Sequence, residues 1–307
     1  MSELPNPDRW PDFLLIGAPK AGTTALFKAL STHPQIFAAP EKEPGYFAYA
    51  GSRPAFSGPG DDDYPRKSGY LERDYLELFR NCSRQMKAGE ASTVYLHHPN
   101  APLNASRHVA SARIVAILRH PVDRAYSQWL HLRQEGREEV SDFAAACALE
   151  NERKAKGWRT HFLYQERGYY AEQLERWLQY YSREHILILF YEDWLERPLE
   201  LLNDVCRHLG VSDFESPSLS RENVSSRQPR WKWLHLRMVQ KNALRTWAQE
   251  KLPLWLRDAI TTVITSINLR PGPSISAALR QRLTSQYLED IDRLEQLTGR
   301  DLGHWRY

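Results

Sequence analysis

The chain has 307 residues, of which 42% are hydrophobic and 26% charged. That is ordinary globular composition, and the length suits one large domain or two small ones. Forty-one Lys and Arg against 38 Asp and Glu leave a net charge of +3, too small for a nucleic-acid coat, so no nucleic-acid partner is expected.

The N-terminal stretch Met1–Arg9 is polar and has no apolar signal core. No run approaches the roughly 18 apolar residues of a membrane span. Cys82, Cys147 and Cys206 are odd in number and lack metal spacing. They are read as free thiols of a reducing compartment, and a cytoplasmic protein is the expectation.

Taken in chain order, the first signal is a strand. Phe13-Leu-Leu-Ile16 is a short apolar run bounded by Pro11-Asp12 and Gly17. A glycine loop follows, and then a helix with Ala25, Leu26, Ala29 and Leu30 on one face, ending near His33-Pro34. Residues 51–69 are rich in Gly, Pro, Ser and Asp and read as a long surface-loop insertion. Ile114–Leu118 is a second buried strand. It runs into Arg119-His-Pro121 and a helix with Asp123 in its first turn.

Tyr170, Leu174, Trp177, Leu178 and Tyr181 share one helix face. Ile186–Phe190 is a third continuous apolar strand. Leu199, Leu202, Val205, Cys206 and Leu209 then recur at helical spacing, with Gly210 as the stop. A last helix carries Leu279, Leu283, Tyr287, Ile291 and Leu294. Continuous apolar strands alternating with helices predict a P-loop-like α/β three-layer sandwich: one domain over 1–307, with a central, mostly parallel sheet flanked by helices.

A strand, a glycine loop and a helix together form a phosphate site, because backbone N–H groups and the helix N-terminus face the anion. Gly17 and Gly22 are separated by four residues, the glycine spacing of the Walker A loop. Thr23 stands where that loop has its lysine, and the lysine lies inside the loop at position 20. A lysine there suits a shorter diphosphate-like group rather than an ATP γ-phosphate. Thr23 and Thr24 could donate to a 5′-phosphate.

The stretch Asp12-Phe-Leu-Leu-Ile-Gly-Ala-Pro-Lys-Ala-Gly-Thr-Thr-Ala25 resembles the 5′-phosphosulfate loop of sulfotransferases that use 3′-phosphoadenosine 5′-phosphosulfate (PAPS), above all bacterial members and heparan sulfate sulfotransferase domains. Leu118-Arg-His-Pro-Val-Asp-Arg-Ala-Tyr-Ser127 is similar to the family's 3′-phosphate segment. That likeness implies Arg119 and Ser127 on the 3′-phosphate, a charged fork plus a neutral donor. Further family-like strings are Glu41-Lys-Glu-Pro-Gly-Tyr-Phe47, Gly89-Glu-Ala-Ser92 with Tyr95-Leu96, Phe190-Tyr-Glu-Asp-Trp194, and Gly299-Arg-Asp-Leu302 near Trp305.

The resemblance implies a sulfuryl transfer from PAPS by in-line displacement that needs no metal. Lys20, Ala21, Gly22, Thr23 and Thr24 would hold the 5′ end of the nucleotide, with Lys20 also carrying the charge for the leaving group. Glu43 resembles the catalytic carboxylate of the heparan-type enzymes, and His131 occupies the offset of a functional histidine in N-sulfating members. Either could move the acceptor's proton. Glu41 is a weaker candidate base, and Glu90 is read as structural or acceptor-side. Arg227 and Arg230, in Arg221-Glu-Asn-Val-Ser-Ser-Arg-Gln-Pro-Arg230, could stand in for the family's Lys-Gly-Arg closing loop, although the string departs from it.

The insertion 231–272 could line the acceptor site. Within it, 231–257 interleaves Trp231, Trp233, Trp247 and Trp255 with Lys232, Arg237, Lys241 and Arg245. Such a stretch suits a core face, a subunit contact or peripheral membrane contact. A small-molecule, glycan or lipid acceptor is compatible with these residues. The competing readings are a P-loop kinase or hydrolase, disfavoured by the missing lysine after Gly22, and a non-catalytic nucleotide-binding module.

Overall fold

The structure is a computed structural model. It describes residues 9–49, 51–52, 54–61, 70–214, 227–229, 269–271 and 274–307.

Five strands build the central sheet: β1 (Phe13–Gly17), β2 (Ile36–Ala38), β3 (Lys87–Ala91), β4 (Arg113–Leu118) and β5 (Ile186–Phe190). Their spatial order is β2-β3-β1-β4-β5 and every pairing is parallel. In register, Phe13 faces Gly89 on one side and Arg113 on the other. All five β1 residues are buried, as are Ile114 to Leu118. This is why both strands read as unbroken apolar runs: helices cover each face of a parallel sheet. A fully buried side chain of this kind contributes about 1.5–3 kcal/mol. The fold class expected from the sequence is the one observed, with a sheet that is wholly parallel.

Two strands escaped the sequence reading. The strand β2 is only three residues long, and β3 reads Lys-Ala-Gly-Glu-Ala, without a branched or aromatic residue. The composition of β3 follows from crowding. A Cβ on Gly89 would lie 2.1 Å from the Phe13 ring, so only glycine lets β3 pair beside β1. We expect Gly89→Ala to lower unfolding stability by about 3 kcal/mol, the upper range for overpacking a core. Urea unfolding of the purified variant checks this.

The helices largely match expectation. Thr23–Leu30 buries Leu26, Phe27, Ala29 and Leu30. Pro121–Gln134 starts with the His120 side chain accepting from the Val122 amide, and Asp123 pairs with Arg280. In Tyr170–Leu178 the buried face includes Tyr170, Leu174 and Trp177. Pro198–Leu209 ends at Gly210 with φ 71°, but Leu199 is exposed and Leu201 is the buried residue of that turn. The C-terminal pattern is not one helix. Ala277–Thr284 and Leu288–Thr298 are joined by a 3₁₀ turn at Ser285–Tyr287, which keeps Leu283, Tyr287, Ile291 and Leu294 buried. Trp305 closes this end: its carbonyl bonds His120 and its indole N–H donates to Glu192.

The described part of 51–69 is anchored rather than loose. Asp61 is buried and pairs with Arg137 at 3.2 Å and Arg159 at 2.5 Å. Its carboxylate also accepts from the Gly58 amide at 2.8 Å. Cys82, Cys147 and Cys206 are free thiols and buried. Among the described residues no helix is long and apolar enough to cross a membrane. The amphipathic stretch 231–257 and the rest of 230–268 lie outside the described residues.

Candidate functional site

The strand order changes side at β1: the chain goes to the far edge at β2 and returns to β3 on one side of β1, then builds β4 and β5 on the other. In open parallel sheets, ligands bind beyond the strand C-termini at such a switch point. The sequence-predicted loop starts there, at the end of β1. The segments following β2, β3, β4 and β5 contribute Glu43, Thr93, Arg119 and Tyr191 to the same rim.

The loop is bent so that Lys20 has φ 65° and Gly22 has φ 88°. A Cβ on Gly22 would press to 3.1 Å from the Tyr191 ring, so both the conformation and the neighbour call for glycine. The Arg119 guanidinium, stacked 4.8 Å over that same Tyr191 ring, donates to the Lys20 carbonyl at 3.0 Å. Arg119 thus braces the loop as well as presenting charge. Ala21 and Thr23 are buried, Thr24 is exposed, and Ser127 is buried on the helix Pro121–Gln134.

Burial pushes the Lys20 ammonium down to about 8; Glu135 opposes that shift, and Arg119 and Lys42 add to it. A partly dry ammonium among cations is held ready for an anion, whose arrival would restore its full charge.

Glu43 is held firmly. Thr93 donates to it twice, from its amide at 2.8 Å and from its hydroxyl at 3.0 Å. The Glu43 amide in turn donates to the Ala91 carbonyl at 2.8 Å. Behind Thr93, the buried Arg167 donates to the Thr93 carbonyl at 3.0 Å. Glu43 has φ 62°, and among the described residues it and Lys20 are the non-glycine residues with positive φ. Such a conformation costs of order 1 kcal/mol each and concentrates where function demands it.

His131 lies one turn beyond Ser127, with its Nε2 3.3 Å from Glu135. Burial, then repulsion from Lys20, pushes its pKa down, against the pull of Glu135. Both effects favour the neutral imidazole. Lys20, Glu135 and His131 form one electrostatic group on the donor-loop side, while Glu43 is fixed from the β3 side.

Glu90 is sealed in the core. Its carboxylate is fully buried and accepts from Tyr75 at 3.2 Å and Ser92 at 2.9 Å, and Ser92 accepts from the Gly45 amide at 3.0 Å. Burial raises its pKa to about 7, against the hydrogen bonds from Tyr95 and Ser92. The folded state therefore keeps a proton that the unfolded chain releases above about pH 4.5. Stability falls by about 3 kcal/mol between pH 4.5 and 7 on this account, and is level above it. We expect Glu90→Gln to remove that slope, so the variant gains on the parent between pH 5 and pH 8. Urea unfolding at the two pH values reads the difference.

Three participants were not singled out from the sequence: Lys42, Thr93 and Glu135. Lys42 lies inside the quoted string Glu41–Phe47, Thr93 directly follows Ser92, and Glu135 lies one helical turn past His131, but no spacing rule marks them. Arg227 lies in β6 (Arg227–Pro229), antiparallel to β7 (Leu269–Pro271) and beside the helix Pro121–Gln134. Arg230 falls outside the described residues.

The fold and this rim define a class, an α/β domain with a glycine loop and a second cationic strand end side by side at the C-terminal edge of a parallel sheet. Residues 10–240 match the family model described as Sulfotransferase domain, and the chain belongs to that family of PAPS-dependent sulfotransferases. This membership does not favour the kinase and hydrolase readings. Similar proteins include the bifunctional heparan sulfate N-deacetylase/N-sulfotransferase 3 of Mus musculus, 31% identical over 67% of this chain and 23% of that protein. The corresponding bifunctional enzyme of Drosophila melanogaster is 30% identical over 68% of this chain and 20% of that protein. The chain therefore spans less than a quarter of the length of these relatives. The crystal structure of a sulfotransferase from Alicyclobacillus acidocaldarius is 29% identical, with a TM-score of 0.76, over 97% of this chain and all of that one.

Proposed function

We propose that this enzyme sulfates an amine or hydroxyl of a glycan or small-molecule acceptor, with Glu43 as the base. The observation that carries this is the Glu43 carboxylate, held by two Thr93 donors and 3.8 Å from Lys42, whose ammonium reaches Thr24 at the end of the glycine loop. An acceptor oxygen or nitrogen must lose a proton as it attacks, and a carboxylate without positional freedom is suited to take it.

The donor set suits PAPS. Lys20, Thr23, Thr24, Arg119 and Ser127 offer three hydroxyls and two cations at the strand ends, enough for two separate phosphate groups. PAPS supplies the sulfuryl group and a 5′-phosphate leaving group. Backbone N–H groups of Ala21 and Gly22 and the hydroxyls of Thr23 and Thr24 bind the 5′ end, and Lys20 neutralises charge at the leaving oxygen. Arg119 and Ser127 bind the 3′-phosphate. His131, whose neutral form is favoured by burial and by Lys20, orients the acceptor or relays its proton.

The similarity to heparan sulfate N-sulfotransferases favours an amino sugar as the first acceptor to try. The experiment incubates purified protein and PAPS with N-desulfated heparan oligosaccharides, simple phenols, alcohols and lipid hydroxyls, and reads added sulfate by mass. Sulfate on the glucosamine amine is the expected result. Sulfate on phenols or lipids alone would overturn the glycan assignment and leave the donor chemistry standing.

A further inference from the structure

The donor loop and the base are bridged by one side chain to which the reading above gives no role. The Lys42 ammonium donates to the Thr24 hydroxyl at 2.6 Å and lies 3.4 Å from that of Thr23. It also lies 3.8 Å from a Glu43 carboxylate oxygen. Lys42 thus touches the two hydroxyls assigned to the 5′ end of the donor and the carboxylate assigned to the acceptor's proton. It is only partly exposed, and its charge is felt at Lys20.

In an in-line transfer the acceptor atom, the sulfur and the leaving oxygen are roughly collinear. The acceptor–sulfur bond forms, the bond from sulfur to the 5′-phosphate oxygen breaks, and the acceptor proton passes to Glu43. The sulfuryl group then crosses from the side of Thr23 and Thr24 to the side of Glu43. A cation already in contact with the first and near the second stands beside that path. Lys20, inside the loop and braced through its carbonyl by Arg119, stands on the leaving-group side.

We propose that Lys42 is a second catalytic lysine that binds the sulfuryl oxygens, so that the two lysines divide the donor between them, Lys20 on the phosphate and Lys42 on the sulfuryl group. In the donor-free protein the threonine hydroxyls stand in for those oxygens. The inference rests on the donor loop binding PAPS as described above.

A sulfuryl ligand, unlike a phosphate ligand, distinguishes PAPS from adenosine 3′,5′-bisphosphate, which has the same two phosphates and no sulfuryl group. Calorimetry with both nucleotides, without acceptor, on the parent, Lys42→Met, Lys42→Arg and Lys20→Met proteins tests this. Lys42→Met should weaken PAPS by about tenfold, the scale of one charge-assisted hydrogen bond, while the bisphosphate changes by less than about twofold. Lys42→Arg should recover much of the PAPS affinity. Equal weakening of both nucleotides by Lys42→Met would make Lys42 a phosphate ligand and overturn the proposal. No change in either would reduce it to a partner of the threonine hydroxyls and overturn it as well. Failure of the underlying donor assignment looks different: Lys20→Met would then leave both nucleotides bound as tightly as in the parent. Thermal unfolding monitored by circular dichroism confirms that each variant is folded.

Discussion

Lys20→Met and Arg119→Ala are each expected to weaken adenosine 3′,5′-bisphosphate binding by about 10- to 100-fold, and together to abolish it at micromolar concentrations. Each removes charge-assisted hydrogen bonds, worth about 1.5–3 kcal/mol, and every 1.4 kcal/mol is roughly tenfold in affinity. The two losses should not be additive, because the Arg119 guanidinium also holds the Lys20 carbonyl at 3.0 Å. Removing Arg119 therefore loosens the loop that presents Lys20, besides deleting a phosphate ligand. Calorimetry on folded protein reads both effects, and an unchanged affinity in either variant would remove that residue from the donor site. Lys20 adds a pH signature. Its ammonium titrates near 8 in the donor-free protein, and a bound dianion favours the charged form. Affinity should thus fall as pH rises above about 8, with proton uptake on binding in that range. Buffers of different ionisation heat expose the uptake, and Lys20→Met should abolish it.

Glu43→Gln should lower turnover by about 10²- to 10⁴-fold, the usual contribution of a positioned general base, and leave bisphosphate affinity within about twofold. Glutamine keeps the shape and still accepts from the Thr93 amide, so the loss reports the missing basicity rather than a collapsed loop. The comparison with His131→Ala separates the two candidate bases. If His131 only orients the acceptor, its removal raises the acceptor KM more than it lowers kcat. A Glu43→Gln enzyme with near-normal kcat would transfer the role of base to His131. Glu90, a carboxylate of β3 sealed behind Tyr75 and Ser92, should tolerate glutamine with turnover changed little.

Much of the glycine-loop rim was legible because its signals are local. A phosphate loop is a contiguous strand, turn and helix, and Phe13 to Thr24 carries all three within twelve residues. Arg119 and Ser127 likewise sit on one strand end and the helix that follows it. The strand β3 was illegible for the opposite reason. Lys-Ala-Gly-Glu-Ala has no strand signature of its own, and it is a strand because Phe13 of β1 leaves room for nothing beyond Gly89. The C-terminal pattern likewise shows periodicity without the 3₁₀ break at Ser285–Tyr287. Leu283, Tyr287, Ile291 and Leu294 keep a four- and three-residue spacing whether or not the helix is interrupted.

The amino-acid sequence by itself determined the alternation of buried strands and helices, the displacement of lysine into the loop at position 20, and the pairing of that loop with Arg119. These are properties of neighbours along the chain, where hydrophobic period and turn chemistry act directly. Only the tertiary structure decided that Glu43 is gripped by Thr93, fifty residues away, that Arg167 backs Thr93, and that Lys42 lies between the threonine hydroxyls and the base. Parallel strands brought side by side by long crossovers create those contacts. No spacing along the chain encodes them, because a parallel sheet aligns the ends of its strands regardless of how many residues separate them.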